Sequence, residues 1–298
     1  MRSPRAGTRS TRCILSFATL VLTAAGPLAA QSAEWYEMSS RRQTDGIERL
    51  EVDVEYAVGR LDVGPVDADL LYQLDLRYDA RRFEPIRHWN AADGTGHLRL
   101  RFDTEDGDLD IDDFDDVGSD ELGALTLGLS RDVPTRLSLG VMATEARLQL
   151  GGVALERFVF RTGASEASIE FDAVNPVRMD RLELAAAAAD FRASGLGSAR
   201  FDRLEFVGAV GDVRLDFSGD WEGSAEAEIN MGLGALRLIF PRALGVRIAK
   251  RGILTSFESV GFDEVDGAYR TPNWDSASSR LDLSIRAGFG DIDVTFVD

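Results

Sequence analysis

The chain has 298 residues, with 33 lysine and arginine residues against 51 aspartate and glutamate residues, so its net charge is −18 at pH 7. This acidity excludes nucleic-acid binding by phosphate neutralisation, and it opposes adsorption to anionic lipid head groups. The single cysteine, Cys13, lies near the N-terminus, so the rest of the chain can form no disulfide and offers no thiolate nucleophile or cysteine metal ligand.

The first 30 residues have the three parts of a secretory signal peptide. A basic stretch with four arginines and no acid precedes an apolar run from Cys13 to Ala25, and the small residues Ala29 and Ala30 follow. The apolar run is shorter than the ~20 residues that a spanning helix needs. We therefore expect cleavage after Ala30, no transmembrane segment afterwards, and a periplasmic or extracellular location.

Strands are predicted soon after this leader. Residues 31–46 are expected to be a polar lead-in, and residues 47–102 an N-terminal β module. The run from Leu50 to Glu55 alternates apolar and acidic side chains, and the run from His97 to Phe102 alternates apolar and basic or imidazole side chains. A period of two is typical of strands with one buried and one solvated face.

An acidic segment follows at residues 103–121, where we predict a loop. An EF-hand starting at Asp108 would need glycine at its sixth position and glutamate at its twelfth, where the chain has Asp113 and Ser119. We therefore expect weak calcium binding at best, with a solvated loop as the alternative, and we predict no cofactor. The candidate calcium ligands are Asp106, Asp108, Asp110, Asp112 and Asp113.

Residues 122–298 are predicted to form a repeat core that ends in closing strands. Each unit begins with an apolar residue, any residue and a second apolar residue, and a second apolar pair follows about ten residues later. The spacing of 21–24 residues between unit starts is typical of a solenoid. The starts in the middle of the chain are Leu137, Phe158, Leu182, Leu204 and Ala227.

One such unit cannot bury its own apolar face, so we predict an all-β solenoid in which equivalent side chains form ladders along the stack. Full burial of each side chain is worth about 1.5–3 kcal/mol. The predicted ladder residues are Leu137, Leu139, Leu148, Phe158, Phe160, Ile169, Phe171, Leu182, Leu184, Phe191, Leu204, Phe206, Val213, Leu215, Phe217, Ile229, Leu236, Leu238 and Phe240.

Glycines recur between the two halves of these units. Glycine tolerates positive φ and lets neighbouring backbones approach closely, so we interpret the glycines as structural turns rather than as a nucleotide-binding element. The run Ala185–Ala189 takes the same place in its unit and is interpreted as a tight bend. Residues 241–280 are irregular, and we expect them to form an excursion before the closing strands. The turn glycines are Gly208, Gly211, Gly232, Gly234, Gly288 and Gly290.

The closing segment carries the most specific residue pattern in the chain. Gly261-Phe262, the run from Gly267 to Asn273 and the run from Leu281 to Val294 resemble the C-terminal end of bacterial toast-rack domains. These domains occur in LiaF-like cell-envelope proteins and related candidate adhesins. The unit from Gly232 to Pro241 and the stretch from Leu50 to Phe102 are also similar to parts of that group.

This resemblance implies a right-handed β-helix that faces the cell exterior. Its motifs are structural glycines and apolar ladders, so it implies a fold and offers no catalytic residues to transfer. The LiaF-type members carry membrane helices and modulate envelope-stress signalling, and we predict no such helix after the leader of this chain.

Two further sets of residues are candidate binding groups. His88 and His97 flank a predicted turn and could ligate a metal together, but no third ligand stands at a fixed spacing. Aromatic residues could stack on sugar rings if they share one exposed face, although tryptophans in turns more often cap a core. These aromatic residues are Trp89, Trp221, Trp274 and Tyr269.

We therefore predict an exported, non-catalytic structural or interaction module of the bacterial envelope, adhesin-like or related to envelope stress, whose partner is an envelope protein or polymer. Self-association is compatible with an exposed end coil. The alternative is a carbohydrate-active or carbohydrate-binding β-helix protein. Such an enzyme needs basic residues gathered in a groove, whereas Lys250 is the only lysine and the arginines are expected to be scattered over outward strand positions.

Overall fold

The computed structural model describes residues 33–103, 123–257 and 260–298. These residues form strands, turns and irregular segments, and no helix among them is long and apolar enough to cross a membrane. The strands are β1 Trp35–Gln43, β2 Arg49–Pro65, β3 Leu70–Asp79, β4 Glu84–Ala92, β5 Thr95–Asp103, β6 Ala124–Leu129, β7 Thr135–Gln149, β8 Leu155–Glu170, β9 Met179–Ser194, β10 Phe201–Asp216, β11 Ser224–Pro241, β12 Gly245–Phe257, β13 Asp263–Val265, β14 Ala268–Arg270 and β15 Arg280–Val297.

Most of the long strands lie side by side in one parallel run, in the order β2-β7-β8-β9-β10-β11-β15-β12. Neighbours pair in register, so that equivalent repeat positions face each other. Leu139 lies opposite Phe160, which lies opposite Leu184, and Phe206 and Ile229 continue the same ladder. Every predicted ladder residue is buried. The repeat register is therefore confirmed, and it explains how the described residues obtain a core from strands.

Two smaller groups of strands branch from β2. On one side, β2 pairs with β7 along nearly its whole length. On the other side, its first half pairs with β5, with Leu50 opposite Gly96, and its second half pairs with β6, with Leu61 opposite Leu125. β4 extends the first branch, and β3 and β1 extend the second, all antiparallel. The predicted N-terminal β module thus shares one sheet with the repeat core.

Three glycines stack at the middle of β10, β11 and β15. Gly211, Gly234 and Gly290 have φ values of +136°, +135° and +132° and pair in consecutive strands, and we call them the glycine column. A Cβ at Gly234 would lie 1.9 Å from the Gly211 carbonyl oxygen, and one at Gly290 would lie 1.8 Å from the Gly234 carbonyl oxygen. Both the backbone conformation and the close approach therefore require glycine here.

The other predicted turn residues lie within the same long strands. Parallel pairing continues on both sides of the bend, so strand, turn and strand are one continuous element rather than three. A Cβ at Gly232 would lie 2.4 Å from the Ala209 carbonyl oxygen, and one at Gly288 would lie 2.6 Å from the Gly232 carbonyl oxygen. Gly208 and the run Ala185–Ala189 lie inside β10 and β9, respectively.

The predicted polar lead-in contains a strand. β1 pairs antiparallel with β3, and the Ser39 hydroxyl donates a hydrogen bond of 2.6 Å to the Asp75 carboxylate. Hydrogen bonds from Ser39 and Gln73 hold the pKa of Asp75 below its usual range. The sequence lacks an alternating pattern here because β1 is an outer strand whose side chains are mostly exposed.

The irregular region predicted at 241–280 contains β12, which is a member of the parallel run. β15 follows β12 in the chain but lies between β11 and β12, pairing in parallel with both. The regular part of β12 is short in sequence, with Val246 and Ile248 as its buried alternating residues. A charged residue, Lys250, then takes the next ladder position and interrupts the alternating pattern of this strand. The prediction that residues 241–280 are irregular throughout was therefore wrong.

Lys250 blunts the end of the parallel run. It lies opposite Ile285 in the ladder, and its Nζ is 5.6 Å from the Phe257 ring centroid. On its outer side β12 pairs with β14 only at Arg247 and Ile248, and within the described ranges no strand pairs with the rest of that side. A charge directed inward at a sheet edge opposes pairing with another chain.

We expect Lys250→Ile to increase self-association, because the variant extends the apolar ladder to an open edge. Light scattering after size-exclusion chromatography should show a larger mass than the wild-type protein at equal concentration. Lys250→Arg keeps the charge and should behave as wild type. An unchanged mass for Lys250→Ile over a wide concentration range would contradict this role of the lysine.

Tyr56 gives a second test of the core. Its side chain is 4% exposed, and its hydroxyl has no hydrogen-bond partner among the described residues. Burial raises its pKa, so the unfolded chain releases this proton from about pH 10 while the folded chain retains it. The stability that the neutral phenol contributes is therefore complete below about pH 10 and declines as the pH rises further.

We expect Tyr56→Phe to maintain or increase the free energy of unfolding at pH 7, because burying an unpaired hydroxyl costs about 1–3 kcal/mol. The variant should also lose less stability than wild type between pH 9 and 11. Thermal melts across this pH range measure both effects, with the exposed Tyr36→Phe as the control. A clear loss of stability at pH 7 would show that the hydroxyl is paired.

Two predicted segments lie outside the described residues. These are the signal peptide at residues 1–30 and the acidic segment that carries the five candidate calcium ligands, from Asp106 to Asp113. Both remain predictions.

Candidate functional site

Four arginines stack on the outward face of β7, β8, β9 and β10. Arg136 lies opposite Arg157, which lies opposite Arg181, which lies opposite Arg203. Neighbouring strands are about 4.8 Å apart, so the four backbone positions span about 14 Å. We call these four residues the arginine strip, and we call the outward side of the half-strands that carry them the first face.

Like charges on adjacent strands destabilise a sheet unless other groups offset them. Glu183 does so for the middle of the strip, because its carboxylate lies 2.5 Å from Arg157 and 3.5 Å from both Arg181 and Arg161. The Glu183 side chain is 20% exposed, whereas the three arginine side chains are 40–62% exposed. The carboxylate therefore lies beneath the guanidinium groups, which are the more accessible charges.

A groove of about 660 Å³ lies at the β2–β8 end of the first face, and we call it the first groove. Small or apolar side chains, Ser138 and Val159, lie between its charged walls. Glu51 and Asp53 line it on the β2 side, and the Arg99 Nε donates a hydrogen bond of 3.3 Å to Asp53. Arginine and carboxylate groups are therefore gathered in one depression, together with Arg136 and Arg157 of the arginine strip.

A second groove, of about 610 Å³, lies on the same face at the β9–β15 end. Arg181 and Arg203 of the arginine strip line it, together with the carboxylates of Asp202 and Glu226. Trp274 lines it too and is partly exposed, because the turn before β15 carries its side chain to the rim. The arginine strip thus passes from the first groove into the second.

The expectation that the arginines are scattered was wrong. They occupy outward strand positions, as predicted, but the parallel register brings four of them into one column. A signal was present in the sequence, since each of the four directly precedes the first ladder residue of its unit, as in Arg136-Leu137 and Arg203-Leu204.

The half-strands that follow the bend have an outward side of their own, and it carries a shorter column of three arginines. Arg192, Arg214 and Arg237 pair in consecutive strands on this second face. The Arg192 guanidinium lies 3.4 Å from the Glu166 carboxylate. Arg214 and Arg237 are exposed, and neither lines the first or the second groove. They provide a matched reference for substitutions in the arginine strip.

The family of the chain follows from its N-terminal half. Residues 31–181 match the family model described as the N-terminal domain of toast_rack, DUF2154. The chain belongs to the toast-rack family. The matched residues include β1 to β8 and the start of β9, so this toast-rack domain contains the first groove and the first three arginines of the arginine strip, Arg136, Arg157 and Arg181.

Several solved structures are similar to this toast-rack chain. A candidate cell adhesion protein from Clostridium sporogenes is 16% identical, with a TM-score of 0.48, over 89% of this chain and all of that chain. A candidate adhesin from Bacteroides fragilis is 11% identical, with a TM-score of 0.39, over 89% and 98%. A candidate lipid-binding protein from Parabacteroides distasonis is 11% identical, with a TM-score of 0.32, over 90% and 98%. None of the curated proteins matches the chain.

The predicted histidine pair lies in the first groove of the toast-rack domain. His88 and His97 both line it, and the His97 Nδ1 is 3.1 Å from the Glu51 carboxylate. The described part of the chain contains no group of three or more histidine, cysteine, aspartate or glutamate side chains that could hold a metal ion. The imidazole of His97 instead lies within hydrogen-bond distance of Glu51.

The four predicted aromatic residues do not share one face. Trp89 lies under Arg42, with 4.5 Å between the guanidinium carbon and the ring centroid. The Trp221 indole donates a hydrogen bond of 2.7 Å to the Phe217 carbonyl, and Tyr269 packs on Phe257. Trp274 alone among these four lines the first or second groove.

Proposed function

We propose that this toast-rack protein is an exported, non-catalytic interaction module of the bacterial cell envelope, adhesin-like in its role. The observation that carries the proposal is the arginine strip, which joins two grooves on one face of a rigid sheet. Glu156, Glu183 and Glu226 offset these charges within the fold, yet the four arginine side chains stay 40–57% exposed. An extended partner lying along the first face would bind such preorganised groups.

The scaffold that we propose is a right-handed β-solenoid. In-register parallel neighbours whose ladder residues are 21–24 positions apart in the middle of the chain, such as Leu182 and Leu204, support one coil per repeat. Such a scaffold presents outward side chains at a fixed spacing. Binding would therefore require little ordering of the protein.

Export and the absence of catalysis are part of the proposal. The basic and apolar leader before Ala30 supports passage across the cytoplasmic membrane. Charged groups of the first groove form ion pairs between strands, such as Arg99 with Asp53 and Arg136 with Glu51, an arrangement suited to recognition. A carbohydrate-active enzyme is the competing function, because arginines and carboxylates do meet in that groove.

Retention on envelope material tests the proposal. Purified protein spanning residues 31–298 should bind to envelope preparations from the bacterium that encodes it, and Arg157→Glu/Arg161→Glu on the first face should reduce the bound fraction severalfold. The matched Arg214→Glu/Arg237→Glu on the second face should retain binding. No retention, or equal loss with both double variants, would overturn the proposal, and so would depolymerisation of an envelope polysaccharide by the wild-type protein.

A further inference from the structure

We propose that the arginine strip and Trp274 form an extended binding site for a linear glycan that carries uronate carboxylates. This inference rests on the proposed function and gives its partner a chemical class. Arg136, Arg157, Arg181 and Arg203 would bind carboxylates, and Trp274 would stack on a sugar ring at one end.

The spacing of the arginine strip favours a polymer over a small ligand. Consecutive strands place the backbone of one arginine about every 4.8 Å along the run. This distance is similar to the advance of one sugar residue along an extended glycan. Arg157 and Arg181 lie on adjacent strands, and the first lines the first groove while the second lines the second groove. A linear ligand can therefore follow the column from one depression into the next.

The arginines are more exposed than the carboxylates that pair with them, and this favours a ligand that carries carboxylates. Glu183 and Glu156 offset Arg157 and Arg136 from positions that are only 20% and 25% exposed. The outer edges of the guanidinium groups remain accessible for bidentate hydrogen bonds to a carboxylate. The overall acidity of the chain disfavours a duplex nucleic acid, which carries one charge per about 1.7 Å of its length, whereas a uronate glycan carries one carboxylate per sugar.

The second groove adds the features that distinguish a sugar from a simple anion. Trp274 offers an aromatic surface at the rim, and an aromatic face packs well against the C–H face of a pyranose. Asp202 and Glu226 line the same groove, where Arg178 lies 2.5 Å from the first and Arg203 2.9 Å from the second. A carboxylate has several lone pairs, so each can also accept a hydrogen bond from a sugar hydroxyl. Guanidinium, aromatic and carboxylate groups therefore converge where one sugar residue would lie.

Calorimetry with purified protein and an oligogalacturonate of six sugars tests this inference, with the fully methyl-esterified oligomer as the ligand control. We expect binding of the acid form that weakens with added salt, and at least tenfold weaker binding of the ester. Arg181→Gln/Arg203→Gln should weaken binding of the acid form about tenfold or more, since each charge-assisted pair contributes severalfold. Arg214→Gln/Arg237→Gln should leave it unchanged.

Trp274→Leu should weaken the acid and ester forms by the same factor, because stacking does not depend on the carboxylate. Equal binding of the acid and ester forms, equal loss with the two arginine double variants, or no binding of the acid form at millimolar concentration would each overturn the inference. The comparison of the acid and ester oligomers uses only the wild-type protein. It therefore still tests the inference if one of the variants fails to fold. If the wild-type protein binds envelope material while the oligogalacturonate fails, the proposed function stands and this inference alone is wrong.

Discussion

Gly234→Ala is expected to lower the free energy of unfolding by about 3 kcal/mol or more. The new Cβ would be placed 1.9 Å from the Gly211 carbonyl oxygen, and φ at this position is +135°. Relief would require β10 and β11 to move apart at their centre, where both strands are held in register on either side. Urea denaturation followed by circular dichroism measures the change, and a variant recovered only in insoluble form agrees with it.

Gly223→Ala measures the cost of a positive φ at a glycine that makes no close contact. Gly223 also has positive φ, +75°, but no atom lies within 4 Å of the position that its Cβ would take. Its substitution should cost only about 1–2 kcal/mol, the usual penalty of a left-handed residue. If both variants lose the same stability, the close approach within the glycine column has no energetic importance.

The second large effect is expected from Phe206→Ala, which should lower the free energy of unfolding by about 3–5 kcal/mol. Phe206 is fully buried between Leu184 and Ile229 in the ladder, and its ring centroid lies 5.3 Å from that of Phe191. The neighbouring strands are fixed by backbone pairing and cannot collapse into the cavity. The loss of stability is measured from the denaturant midpoints of the variant and the wild-type protein. The comparison holds when the free energy of unfolding depends on denaturant concentration with the same slope in both.

Phe289→Ala is the matched control, because Phe289 is the same residue type on the same sheet but is 51% exposed. It should change stability by less than about 0.5–1 kcal/mol. A loss for Phe206→Ala as small as that for Phe289→Ala would mean that the ladder is not the main source of stability.

The core of the fold could be read from the sequence because buried parallel strands repeat their side-chain pattern. The position shared by Leu139, Phe160 and Leu184 tolerates any large apolar side chain, so periodicity survives even where the identity of the residue changes. The glycine column was readable for a related reason. Since a Cβ at Gly234 or Gly290 would collide with the carbonyl oxygen of the glycine on the preceding strand, glycine is required at these two positions.

The order of strands in space could not be read in the same way. Leu283 in β15 and Ile248 in β12 fit the same ladder position, and either strand could therefore lie against β11 as far as side-chain size is concerned. β1 was missed because hydrogen bonds such as Ser39 to Asp75, rather than buried apolar residues, hold it in place.

The candidate site was only partly readable. Outward residues are not constrained by packing, so the sequence alone does not distinguish Arg136, Arg157, Arg181 and Arg203 from independent surface charges. Their alignment becomes evident once the ladder residues that follow them are superimposed. Trp274 could not be assigned to the first face, because its position depends on a turn outside the repeat.

The position of β15 between β11 and β12 has a consequence for the way the molecule assembles. Strands from β7 to β11 can be added one after another, each on its predecessor, but β12 has no such docking place when β11 is complete. β12 can pair within the run only once residues 280–297 lie against β11, since β15 is its neighbour there. The last two strands of the parallel run therefore join it in the reverse of their order along the chain, so the edge of β11 cannot be covered before the C-terminal residues are present.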